Sequence, residues 1–141
     1  MNTGKWFKVA LLVGAVYFVV GFSFAKFNTW AATDQTRIAW NRLAFLISAL
    51  VFVVHIGYEH FQLRHPAKVT AWHASLAAAI GGFLLAVSAN IHELGSASGF
   101  RPRLLTALVL WPLITGVPAF IVALVVTMIL SLKRRPGTVQ E

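Results

Sequence analysis

Asp34, Asn41, Ser48, His55 and Gln62 recur every seven residues. On a helix turning 100° per residue, Arg37 and Glu59 fall within about 40° of Asn41, so they join the same narrow face. The intervening positions carry Leu43, Phe45, Leu46, Ile47, Leu50 and Val54. Hydrocarbon cannot satisfy polar groups, so this stripe is expected to face protein or water. Two kinds of chemistry suit it. Ionisable groups at membrane depth mark ion or proton paths, with His55 as the titrating member and Glu59 beside it. Alternatively, the stripe is packing glue, each interhelical hydrogen bond contributing roughly 0.6–2 kcal/mol.

The same region concentrates histidine. His55, His60, His65 and His73 fall near one membrane face, with Glu59 among them. His55 and Glu59, four apart, stand one above the other on a helix. His55 and His73 lie at similar depths from the ends of their spans, so two helices can each offer an imidazole. Imidazole is a common ligand of transition metals and of haem. No closed ligand set is spelled out, so no cofactor is predicted outright; haem or a transition metal is the candidate occupant. Thiolate chemistry is absent, because the chain has no cysteine. His92-Glu93 opens like a zinc-protease HExxH, but the second histidine would be residue 96, which is Ser96. No phosphate loop, nucleophile elbow or dinucleotide fingerprint occurs. The reading therefore leans away from an enzyme.

What must position these side chains is a membrane bundle. Of 141 residues, 58% are hydrophobic and 11% charged; a soluble domain carries roughly 25% charged residues. So short a soluble chain could not hide that much apolar surface. Spans of about 20 apolar residues cross the hydrocarbon, and four stretches qualify: 9–27, 38–61, 69–91 and 104–132. The expectation is an all-α integral membrane protein, a single four-helix transmembrane domain over residues 1–132. The first stretch has features of a signal peptide, with Lys5 and Lys8 ahead of it and Ser23 and Ala25 at a cleavage-like spacing. Its long, aromatic-rich core reads better as a retained span. The fourth stretch contains Pro112, Gly116 and Pro118. It is expected to be kinked or broken near Pro112–Pro118, either as one long tilted helix or as an interfacial piece at 104–110 followed by a span.

The third span has another signature. Ala71, Ser75, Ala78, Gly82, Ala86 and Ala89 share a face of small residues, a seam along which helix backbones approach closely within the chain or between subunits. Leu85 lies off that face. The residues 93–103 are Gly/Ser-rich, and the tail 133–141 reads as a disordered basic segment.

The net charge of +8 comes from residues at the ends of apolar runs, which points to lipid headgroups and not to nucleic acid. With four spans, Lys5, Lys8, Arg64, Lys68, Lys133, Arg134 and Arg135 lie on the side of the termini, seven against five. The positive-inside rule then puts both termini in the cytoplasm of a cell (inner) membrane protein. The leading functional expectation is a non-catalytic multi-pass subunit or accessory protein that packs with itself, as a homo-oligomer, or with partners in a larger membrane complex. The alternatives are a small oligomeric transporter or channel using the stripe, and a haem- or metal-binding redox component.

Overall fold

The computed structural model describes residues 3–94 and 102–133. Among these, α1 spans Thr3–Thr29, α2 Asp34–Gly57, α3 Ala67–Leu94 and α4 Pro102–Lys133, and a π-helical turn, Tyr58–Gln62, continues α2. Four segments are long and apolar enough to cross a membrane: Trp6–Thr29, Asp34–Gln62, Ala67–Glu93 and Leu105–Leu132. The molecule is an all-α four-helix bundle with no strand among the described residues. Residues 95–101 and 134–141, which hold most of the Gly/Ser-rich connection and the basic tail, lie outside the described residues.

Local chemistry sets the helix ends. The Thr33 hydroxyl accepts from the Thr36 amide at 3.2 Å and caps α2. Asp34 follows in the first turn, where a carboxylate complements the helix dipole. Pro66 stands just before α3, and its carbonyl accepts from the amides of Val69 and Thr70. α4 runs through both Pro112 and Pro118 as one assigned helix, so residues 104–110 belong to the fourth helix and form no separate interfacial piece. Inside a bilayer a helix tolerates proline because neighbouring helices re-satisfy the freed groups. The helix around the two prolines packs against α3, which donates from Ser75 Oγ to the Gly116 carbonyl between them.

α3 is the central helix. Towards α4, Ser75 Oγ donates to the Gly116 carbonyl at 2.8 Å, and Thr115 Oγ1 donates to the Ala78 carbonyl at 3.2 Å. A Cβ on Gly82 would stand 2.5 Å from Thr115 Oγ1 and 3.1 Å from the Trp111 carbonyl oxygen. Towards α1, a Cβ on Gly81 would stand 2.6 Å from Tyr17 Cβ, and one on Gly14 would stand 2.7 Å from Ile80 Cγ2. Two adjacent glycines thus serve two different neighbours. Ser75, Ala78 and Gly82 of the small-residue face meet α4; Ala71 and Ala86 are buried, and Ala89 at the outer end is exposed. Leu85, off that face, is not free: it packs where a Cβ on Gly21 would be, on the α1 seam.

α2 is held differently. Its N-terminal end meets α1 through Trp40, tilted against Phe24 and Phe27, and through Asn28 Nδ2, which donates to Asn41 Oδ1 at 2.6 Å. Its inner end carries Ile56 into a cluster with Ala71, Ala74 and Ala123. Between these ends Phe45, Leu46, Leu50, Val53 and Val54 are exposed. Lipid is as apolar as leucine, so such a surface costs nothing in a bilayer.

Candidate metal centre

The site lies at the end of the bundle where α1 and α3 begin and α2 ends. It gathers the chain's ionisable interior. Glu59, in the π-helical turn, is fully buried. The π geometry is uncommon and recurs at functional sites. The chain leaves it through Arg64, whose φ of 53° lies in the left-handed region. The Leu63 amide closes the π turn on the Tyr58 carbonyl at 3.3 Å, and the reversal at Arg64 lets the His65 amide donate to the Glu59 carbonyl at 3.3 Å. The reversal also delivers the His65 side chain to the Glu59 carboxylate.

Two imidazoles meet one carboxylate oxygen. His65 Nδ1 lies 2.5 Å and His73 Nδ1 3.0 Å from Glu59 Oε2. With Glu59 ionised, its carboxylate only accepts and both Nδ1–H groups donate to it. His55 Nε2 faces the other oxygen, Oε1, at 3.7 Å, which is too long for a hydrogen bond. Trp6 of α1 covers His73, with ring centroids 4.4 Å apart and planes 2° from parallel. His65 is the accessible member, its side chain 17% exposed, whereas His55, Glu59 and His73 are buried. The donor atoms of Glu59, His65 and His73 all lie within 4.8 Å of one another. Around a tetrahedral ion with bonds of ~2.1 Å, donors sit ~3.4 Å apart. Opening the two contacts by less than about 1 Å and releasing their protons would therefore admit an ion.

Several buried polar atoms here lack a hydrogen-bond partner: both ring nitrogens of His55, both of His60, Glu59 Oε1 and Thr70 Oγ1. Native interiors rarely leave such groups unsatisfied.

The sequence-derived candidates divide accordingly. Of the four histidines, His65 and His73 share Glu59 Oε2, His55 faces Oε1, and His60 lies outside the triad, buried and edge-on to Phe61. The seven-residue stripe does not run as one buried file. Asp34 and Arg37 pair with each other at 3.2 Å on the surface, Asn41 is exposed and bonded to Asn28, and Gln62 is exposed. Ser48 lines a cavity at mid-helix, and only His55 and Glu59 reach the buried cluster. Sequence spacing placed Glu59 on the stripe and near the histidines, but not as the hub that joins them. Trp6, which completes the cover over His73, belongs to no motif in the sequence.

Comparison with known protein families, with curated proteins and with solved structures finds no match for this chain.

Proposed function

We propose that this multi-pass membrane protein binds a divalent transition-metal ion at the inner end of its bundle. Glu59 and the Nδ1 atoms of His65 and His73 are the ligands, and His55 is the positioning residue behind Glu59. The observation that supports this reading most directly is the convergence of three donors from the π-helical turn, the following turn and α3 on one point. The neighbouring buried nitrogens and carboxylate oxygen without partners point the same way. Two imidazoles and a carboxylate suit Zn²⁺, Fe²⁺ or Co²⁺. Three protein ligands leave one position open, which is the pattern of exchangeable or reactive sites and not of closed structural ones. Haem fits less well: His73 Nδ1 is turned onto Glu59 Oε2 and His55 Nε2 faces Oε1, so the carboxylate stands between the two imidazoles that different helices offer.

In this reading the chain is a metal-carrying membrane subunit, with both termini cytoplasmic from the charge asymmetry and its lipid-facing helices free to meet partners or copies of itself. Conduction along α2 is less well supported, since the outer half of its polar stripe is at the surface. The test is metal analysis of untagged protein in mild detergent after equilibration with Zn²⁺ or Co²⁺. One ion per chain is expected, lost in His65→Ala, His73→Ala and Glu59→Gln and kept in His60→Ala. A chain that takes up no ion, or whose uptake is indifferent to these changes, would overturn the proposal.

A further inference from the structure

A cavity of about 460 Å³ lies between the middle of α2 and the other helices. Its wall includes Tyr17, Ser48, Phe52, Gly82, Thr115 and Ala119. The size falls in the range of small-molecule pockets, roughly 300–1,000 Å³. Phe45, Pro118 and Val122 also border it and are exposed, so its mouth opens on the lipid-facing surface. The lining is almost wholly apolar, and its polar side chains are Tyr17, Ser48 and Thr115. The Tyr17 hydroxyl is buried and has no hydrogen-bond partner among the described residues. Thr115, by contrast, spends its hydroxyl on carbonyls of α3 and α4. Buried tyrosine hydroxyls are normally paired. Tyr17 is held by the close approach of Gly81, which fixes its ring against α3.

Depth narrows the occupant. The midpoints of the four membrane helices, counting the π-helical turn with α2, fall near residues 16, 48, 80 and 117. Tyr17, Ser48, Gly81, Gly82 and Pro118 sit at those levels, so the cavity is at the bilayer midplane. Phospholipid ester carbonyls lie near the interface, ~15 Å away across half the hydrocarbon. An acyl chain reaches the midplane but carries no acceptor. We propose that this cleft binds an uncharged, lipid-soluble carbonyl compound of the quinone class, entering from the bilayer, with the Tyr17 hydroxyl donating to its carbonyl oxygen. The site is separate from the His/Glu centre: Ser48 lies seven residues, ~10 Å along the helix, from His55. The proposal does not depend on metal binding.

The experiment uses the full chain in lipid nanodiscs with a photoreactive azidobenzoquinone bearing a short alkyl tail. Labelled peptides are mapped, and decylubiquinone is the competitor. Labelling is expected within residues 14–21 and 78–85 and to be suppressed by decylubiquinone but not by decylbenzene, which has the tail without the carbonyls. Tyr17→Phe removes one hydrogen bond and should weaken competition about five- to ten-fold. Ala49→Phe fills the cleft from the loosely packed α2 and should abolish site labelling, with elution and melting unchanged. Labelling spread over the exposed faces of α2 and α4 would overturn the proposal. So would equal competition by decylbenzene, or a Tyr17→Phe variant that competes like the parent while Ala49→Phe does not, because the cleft would then hold any hydrocarbon chain.

Discussion

Replacing Glu59 with glutamine separates a metal centre from a hydrogen-bond network. Without metal, two opposing effects act. Both imidazole donors lose a charged acceptor, at about 1 kcal/mol each, the difference between charge-assisted and neutral hydrogen bonds. Against this, the buried carboxylate carries a desolvation cost of several kcal/mol, part of which the amide relieves. The metal-free variant should therefore melt within about 2 kcal/mol of the parent, in either direction. With metal the contrast is sharp. An ion present at 100 times its dissociation constant stabilises the folded state by about 2.7 kcal/mol. For a chain of this length 1 kcal/mol moves the midpoint by roughly 3 °C, so the parent should gain about 8 °C with Zn²⁺ over chelator. Glu59→Gln removes the central ligand and should gain less than about 2 °C on the same scale. The assay is thermal unfolding in detergent, paired with and without Zn²⁺. The shift should shrink on acidification, because ligation requires unprotonated imidazole. A parent that does not respond to Zn²⁺, or a Glu59→Gln variant with the full shift, would refute the reasoning and leave the cluster as structural hydrogen bonding.

Other perturbations address the scaffold. Arg64→Gly relieves a left-handed φ and should stabilise by about 0.5–1 kcal/mol with metal uptake kept; Arg64→Val should destabilise and weaken uptake, read by the same melts and metal analysis. Gly82→Leu should prevent assembly or lower the midpoint by several degrees, since even its Cβ meets Thr115 Oγ1 at 2.5 Å, whereas Phe83→Leu, at an exposed position, should be near neutral. Asn41→Ala should cost about 0.6 kcal/mol by loss of the Asn28 bond and leave metal binding untouched, since the pair is at the far end of α2. Because the chain has no cysteine, single Ala32→Cys and Gln62→Cys variants can report topology: an impermeant thiol reagent added outside intact cells should label the first and not the second.

The spans were legible because hydropathy in a membrane protein is a first-order signal, and the expected segments all lie inside the observed helices. The spacing of small residues also announced a close seam on α3, though not its partner; Ser75, Ala78 and Gly82 meet α4. The α3 half of the second seam was not legible. Gly81 breaks the three-and-four spacing, and its reason is a bulky partner, Tyr17, on a helix far away in sequence. For the same reason Leu85 looked free and is not. The seven-residue stripe predicted a uniform environment along α2, but periodicity describes a helix face and not how far its neighbours follow it. Here α3 and α4 follow only the inner end. The Glu59 hub depends on a π-helical turn and a left-handed Arg64. Neither has a sequence signature: a π turn has no defining residue, and arginine is an unexpected choice at positive φ.

The way α2 is attached has a consequence for the order in which the molecule comes apart. α3 is joined to α1 and α4 by backbone-close glycine seams, so these three form the cooperative unit with the highest opening free energy. Among the described residues, α2 is fastened mainly at its ends, by an aromatic and asparagine contact at one and by Ile56 and the Glu59 cluster at the other. It is the helix expected to detach first on heating. The ionisable cluster is then expected to come apart while most of the bundle is still intact and most of the helical structure remains.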